Sequence, residues 1–156
     1  MKKSIEALDN EGLGHIHICP ETMGKINQLG DFNEVMTLCE MDKSLIPCID
    51  FGHLNARTYG QVNSKDAFKY IIEEMGNRLG EDRMKHFHSH FSKIEWTNGG
   101  EKKHLTFDDS VFGPNFEPLM ELIAEYSLEP TIICESDNTQ SQDALKMKQY
   151  YLERLR

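Results

Sequence analysis

The feature that most constrains the fold is a short apolar run ending in a metal-capable side chain, which occurs four times. The clearest copy covers residues 46–50 and is followed by Phe51, Gly52 and His53. A run rich in β-branched residues before a glycine-containing loop is typical of a buried parallel strand. The predicted strands cover residues 15–19, 45–50, 84–91 and 131–135. The metal-capable side chains at or near their C-terminal ends are Glu21, Asp50, His88 and Glu135.

Between the strands, apolar residues at helical spacing predict helices. Asp31 is placed to cap a helix that carries Val35, and Ser64 a helix that carries Ile72. We therefore predict one α/β domain over residues 1–156, with four parallel strands alternating with helices. The glycine-rich motif of dinucleotide-binding sheets is absent. Functional side chains at the ends of several strands are typical of a TIM barrel, so we favour barrel strands over an open sheet.

Composition and charge exclude several classes of protein. No apolar run approaches the roughly 18 residues of a membrane span, and no signal-peptide core is present, so we expect a cytoplasmic protein without a membrane partner. The four cysteines lack C-x-x-C spacing, and three lie in predicted strands, which favours reduced core thiols. A net charge of -9 argues against a broad nucleic-acid-binding face. The charge does not exclude a local nucleic-acid-binding site at which metal ions supply the positive charge.

The strand-end side chains predict a divalent-metal site. Carboxylates and an imidazole that converge at neighbouring strand ends suit zinc, manganese or cobalt better than calcium. Open coordination positions would let the metal polarise a substrate oxygen or acidify a bound water. The candidate ligands are Glu21, Asp50, His88 and Glu135.

Two further histidines lie close to these ligands. His53 follows Asp50 by three residues and is a candidate ligand for a second ion or for substrate. His90 shares a strand face with His88 but lies one step further out. We therefore predict that His90 contacts the substrate or supports the ligands.

Polar loops supply the remaining candidates. Residues 97–104 are predicted to form a long polar loop, whose last residue, His104, is a candidate ligand. Arg57 and Lys102 lie in loops and are candidate contacts for a substrate phosphate.

Together, these residues resemble the xylose isomerase-like TIM-barrel superfamily, and more specifically its apurinic-endonuclease branch, the endonuclease IV type. The resemblance covers nearly the whole chain but only the C-terminal half of the family's barrel. It therefore implies half of a (βα)8 barrel. The segments that carry it are Cys19-Pro20-Glu21, Ile49-Asp50-Phe51-Gly52-His53, His88-Ser89-His90-Phe91-Ser92-Lys93, His104 and Ile133-Cys134-Glu135.

The endonuclease IV resemblance implies a DNA-repair hydrolase with several zinc ions, which cleaves the phosphodiester 5′ to an abasic deoxyribose. Glu21 would bridge two metals and act with Glu135 in catalysis. One metal would be completed by Asp50, His88 and Glu135. A further ion would be held by His53 and His104.

The chain departs from the endonuclease IV pattern at two places. Lys102 stands where the branch has an aspartate two residues before the loop histidine, which leaves Asp108 or Asp109 as substitutes. His90-Phe91 replaces the Asn-Asp that follows the strand histidine. The same order of Glu, Asp, His and Glu occurs in the superfamily's sugar isomerases and epimerases, where one metal holds adjacent sugar oxygens.

Three functions therefore remain open at this point. The first is a zinc hydrolase acting on abasic DNA, and the second is a manganese or cobalt isomerase or epimerase acting on a sugar or sugar phosphate. The third is an inactive half-barrel that needs a partner. Four barrel strands leave two open edges, so we expect the chain to form a homo-oligomer or to take up an N-terminal half in trans.

Overall fold

The structure, a computed structural model, describes residues 1–155. Within them the helices are α1 Lys2–Asn10, α2 Phe32–Glu40, α3 Phe51–Arg57, α4 Lys65–Leu79, α5 Glu81–Lys85, α6 Glu117–Glu125 and α7 Gln140–Arg154. The strands are β1 Cys48–Asp50, β2 His88–Phe91, β3 Lys93–Thr97, β4 Gly100–Leu105 and β5 Thr131–Cys134. No helix in this part of the chain is both long and apolar enough to span a membrane.

The parallel sheet has the strand order β1-β2-β5 and positions the site. Asp50 on β1 is paired in register with His90 on β2, and His90 with Ile133 on β5. The strands therefore end at one edge of the sheet. This arrangement confirms the predicted α/β class, but the structure has three parallel strands where four were predicted.

The predicted strand over residues 15–19 is wrong. The chain near Glu21 still runs beside β1, through a parallel bridge to Cys48 and a backbone hydrogen bond from the Cys48 N–H to the Pro20 carbonyl. Pro20 has no N–H with which to continue that ladder. Pro47 similarly shortens β1, which begins at Cys48 rather than at residue 45. Glu21 consequently reaches the strand ends from an irregular segment.

Three other predicted boundaries are also wrong. β2 begins at His88 because residues 84 and 85 lie in α5. The predicted loop over residues 97–104 forms most of an antiparallel β3–β4 hairpin. Its turn is residues 98–99, and β4 begins at Gly100 with φ +86°. The segment after Asp50 is the helix α3, because the Asp50 carboxylate accepts a hydrogen bond from the His53 N–H and caps it.

The two faces of β2 separate the core from the site. Phe87 and Phe91 are fully buried among side chains of the surrounding helices, while His88 and His90 are only partly buried on the other face. Aromatic and imidazole side chains therefore alternate between the two faces. Both predicted helix caps are confirmed as well, at Asp31 for α2 and Ser64 for α4.

Candidate metal centre

Four side chains meet where the parallel strands end. Asp50 ends β1, His90 lies beside it on β2, Glu135 follows β5, and Glu21 lies at the bridge beside β1. One ligand atom from each lies within 4.8 Å of those of the others. We call these four residues the strand-end group. Three carboxylates and an imidazole at this spacing form a suitable ligand set for a divalent ion.

Asp50 supplies the observation that most favours an ion here. It is fully buried, and its Oδ1 accepts a hydrogen bond from the His53 N–H at 2.7 Å. Its Oδ2 has no hydrogen-bond partner among residues 1–155 and lies 3.3 Å from Nδ1 of His53. Burial raises the pKa of Asp50. A buried carboxylate oxygen without a partner is costly, so the donor set fits a divalent cation.

Glu21 lies between two imidazoles. Its Oε1 is 3.1 Å from Nδ1 of His90 and 3.4 Å from Nδ1 of His53. Burial favours the neutral acid, but the contacts with His53 and His90 outweigh it and lower the pKa of Glu21 to about 2. The hydrogen bond to Glu21 in turn raises the pKa of His90. Glu21 is therefore a charged carboxylate that links the strand-end group to His53.

A second cluster lies next to the first and includes His53, Glu101 and His104. Ligand atoms of these three residues again lie within 4.8 Å of one another. Nε2 of His53 is 3.5 Å from Oε2 of Glu101, and Nε2 of His104 is 3.7 Å from Oε1 of Glu101. We call this cluster the hairpin group. Two imidazoles and a carboxylate can hold zinc and leave a coordination position open.

The orientation of His53 suits a ligand. Its Nδ1 lies 2.9 Å from the Thr22 carbonyl, which can only accept a hydrogen bond, so Nδ1 carries the proton. In the neutral ring, Nε2 is then free and faces Glu101. Burial disfavours the charged ring, but Glu21, Asp50 and Glu101 outweigh it and raise the pKa of His53 to about 9. Near pH 7 an incoming ion must therefore displace a proton.

A bulge in β4 brings the carboxylate into the hairpin group. The register between the two strands shifts between Glu95 and Trp96, which makes Lys102 an extra residue. Side chains two apart share a face in a regular strand, and one extra residue extends this spacing to three. Glu101 and His104 therefore share a face. Glu101 was not predicted, because the resemblance places the acid two residues before His104, at Lys102, and only Asp108 and Asp109 were named as substitutes.

Two contacts and one close approach support the hairpin group. Oγ of Ser92 lies 2.8 Å from Nδ1 of His104, which leaves Nε2 of that ring for the group. The loop at Gly24 passes so close that an added Cβ would lie 2.6 Å from that of Glu101. Arg57 donates hydrogen bonds to several backbone carbonyls of this loop, one of them at 2.7 Å. The loop after Glu21 is thereby held against the hairpin.

His90 takes the position among the carboxylates that the sequence analysis gave to His88. His90 is in register with Asp50, whereas His88 is in register with Cys48, two residues earlier. β2 ends at Phe91, as predicted, but its register with β1 places His90, rather than His88, level with Asp50. The remaining candidate ligands fall in one or other of the two groups: Glu21, Asp50 and Glu135 in the strand-end group, His53 and His104 in the hairpin group.

The basic residues and the substitute aspartates have partners of their own. Arg57 holds the loop after Glu21, and Lys102 forms an ion pair with Glu95 from an exposed position. Asp108 pairs with a lysine of α7, and Asp109 accepts hydrogen bonds from neighbouring backbone N–H groups. The predicted substrate contacts of Arg57 and Lys102 stay predictions, and neither aspartate belongs to the groups found within residues 1–155.

The fold and the ligand groups agree with the family to which the chain belongs. It is a member of the xylose isomerase-like TIM barrels, a family that matches residues 1–154 and often binds divalent metals. The superfamily prediction is thereby confirmed, while its endonuclease IV branch stays a prediction.

One relative is a protein of Methanocaldococcus jannaschii called "Uncharacterized protein MJ0133". The two are 37% identical over 136 residues, a match that covers 87% of this chain and 49% of the relative. The chain thus spans about half the length of this relative. No solved structure matches the chain.

Proposed function

We propose that the chain is a metal-dependent phosphodiester hydrolase of the endonuclease IV type, acting on abasic sites in DNA. The observation that carries the proposal is the contact between the two ligand groups, where Glu21 lies 3.4 Å from His53. Many enzymes that cleave phosphodiesters use two ions about 3.5–4 Å apart. Two linked ligand groups suit that chemistry.

In this proposal the strand-end group would hold one ion and the hairpin group another, and Glu21 lies between the two groups. The mixed oxygen and nitrogen donors favour zinc. When bound, such ions supply Lewis-acid polarisation of a phosphate oxygen and a more acidic water.

Glu21 and Glu135 are the proposed catalytic residues. Their side chains are 30% and 35% exposed, so both can reach a substrate, whereas Asp50 is fully buried. A charged carboxylate at hydrogen-bond distance from the attacking water can take its proton. Asp50 therefore does not contact the substrate in this proposal. It fixes the start of α3 by accepting the hydrogen bond from the His53 backbone N–H.

The overall charge limits how DNA can be held. A net charge of -9 repels an extended phosphate backbone. Contact is therefore confined to the phosphate at the metal centre and its immediate neighbours. An extrahelical abasic site, which exposes one phosphate without a base, suits such a short contact.

The test is incubation of the zinc-loaded protein with a duplex that contains one abasic site. We expect cleavage 5′ to that site, and loss of cleavage in Glu135→Gln. Glu129→Gln is the matched control, because Glu129 precedes the same strand and pairs with Lys85 on the surface. Absence of cleavage by protein that carries both ions would contradict the proposal.

The second candidate is a sugar isomerase or epimerase. The observation in its favour is that the strand-end group alone, with two glutamates, an aspartate and a histidine, can hold one ion. There the glutamates would move a proton between adjacent sugar carbons. A single manganese or cobalt ion with turnover of a ketose panel would favour this function over the hydrolase.

The proposal includes an assembly that closes the barrel, either with a second copy or with further βα units. β5 is an edge strand whose Ile133 is 48% exposed. Beside it lies an apolar cavity of about 400 Å³, lined by Met120 and Met147 among others. Open strand edges and apolar surface favour association. A monodisperse 18.0 kDa species in light scattering would contradict this part of the proposal.

A further inference from the structure

A cysteine and two histidines lie on the same face of the sheet as the strand-end group, starting one step earlier along the strands. Cys48 on β1 and His88 on β2 are partners in register, and His90 lies two residues beyond His88. Side chains two apart on a strand share a face, and so do register partners in a parallel pair. The three side chains therefore point to the same side.

The distances between them are those of a ligand set. One ligand atom from each lies within 4.8 Å of those of the other two. The rings of His88 and His90 are 5.2 Å apart at their centroids, with an angle of 76° between their planes. Cys48 is only 2% exposed, which shields its sulfur from oxidation and exchange. We call these three residues the thiolate group.

We propose that Cys48, His88 and His90 form a thiolate–imidazole site for a thiophilic divalent ion, zinc being the physiological candidate. One sulfur and two nitrogens provide three ligands of a tetrahedral zinc site and leave the fourth open. Thiolate ligands select zinc over manganese and magnesium. Coordination deprotonates the Cys48 thiol and releases that proton to solvent.

His90 belongs to both the thiolate group and the strand-end group, which makes the two sites compete. An ion that prefers oxygen is held by the carboxylates with His90. A thiophilic ion draws His90 toward Cys48 and leaves the carboxylates with one ligand fewer. Each chain therefore holds one ion at this end of the sheet: zinc or cobalt can occupy either set, whereas manganese and magnesium are confined to the carboxylates.

Cobalt provides the first test, because a cobalt–thiolate bond gives a near-ultraviolet charge-transfer band. The full chain is titrated with Co²⁺ to saturation. We expect the band in the wild type and its loss in Cys48→Ser. Cys134→Ser is the matched control, because this buried thiol lies on β5 and packs against Sδ of Met147 at 3.5 Å. Absence of the band in the wild type, or its persistence in Cys48→Ser, would overturn the proposal.

X-ray absorption by the zinc-loaded wild type gives a result that does not depend on the folding of a variant. A sulfur neighbour at about 2.3 Å is expected beside nitrogen or oxygen at about 2.0–2.1 Å. A shell of nitrogen and oxygen alone would overturn the proposal while leaving the proposed hydrolase intact.

Glu135→Gln tests the competition for His90. This change weakens the carboxylate set and leaves the thiolate group whole, so the cobalt–thiolate band per chain should rise. A fall of the band would contradict the sharing of His90.

Discussion

The strand-end group and the hairpin group lie side by side, but they depend on different parts of the fold. Three of the four strand-end residues lie at or directly after parallel strands, whose common edge brings them together. The hairpin group draws on α3 and on the irregular strand β4. A parallel sheet fixes its strand ends through many backbone hydrogen bonds, whereas a two-stranded hairpin is marginally stable by itself. We therefore expect the ion of the strand-end group, the first ion, to bind more tightly than the ion of the hairpin group, the second ion.

The largest expected effect is that of Asp50→Asn. Asparagine still caps α3, so the fold should be kept, but the buried negative charge is lost. Mutation of a residue that hydrogen-bonds to a metal ligand typically lowers metal affinity about 10–100-fold. Loss of the ligand Asp50 itself should therefore lower the affinity of the strand-end group for zinc by at least about 100-fold. Isothermal titration with zinc measures the effect.

The matched control for that change is Asp31→Asn, because Asp31 caps α2 in the same way through its carboxylate. Its zinc affinity should equal that of the wild type. Equal weakening in both variants would mean that the effect comes from helix capping rather than from metal binding.

The next largest effect is expected from a change that affects the hairpin group but not the strand-end group. His104→Ala should remove the second ion and leave the first, since His104 belongs only to the hairpin group. The zinc content should fall by one ion per chain, as elemental analysis would show. His86→Ala is the control, because His86 is exposed and pairs with Asp82. Loss of both ions in His104→Ala would show that the two groups do not bind independently.

Acidity should weaken the hairpin group strongly. The pKa of His53 is raised to about 9, so the metal-free ring holds its proton below that pH, and binding must displace it. Affinity for the second ion should therefore rise with pH up to about 9, by about tenfold per unit for each proton displaced.

The same raised pKa has the opposite effect on the metal-free fold. The contribution of protonated His53 to stability is fully present below its ordinary pKa and is lost as the pH rises through about 9. Zinc titrations and thermal melts across this range should thus show opposite trends. Zinc affinity independent of pH would contradict the assignment of His53 as a ligand.

The smallest effect is expected from deletion of Lys102. Without the bulge, Glu101 and His104 would be two residues apart in a regular strand and would still share a face. The second ion should therefore be retained. Insertion of one glycine after Lys102, with the one-residue bulge kept, should shift the two side chains to opposite faces and remove that ion. Metal content of the two variants, measured together, checks the role of the bulge.

The sequence predicted the parts of the site that depend on strand periodicity. Asp50 and Glu135 follow recognisable apolar runs, and the shared edge of a parallel sheet brings them together. The choice between His88 and His90 could not be predicted, because it depends on where β2 ends relative to β1. Glu101 could not be predicted without knowing that β4 has a bulge at Lys102. The chain near Glu21 is irregular because Pro20 lacks an N–H, and the effect of that missing donor depends on the strand beside it.

Two linked metal-binding groups should hold two ions per chain, which a measurement of metal content can show. Purified protein is loaded with zinc, passed through a desalting column and analysed for zinc per chain, together with His104→Ala. We expect two zinc ions per chain in the wild type and one in the variant. One ion or none in the wild type, or equal zinc content in both proteins, would contradict it.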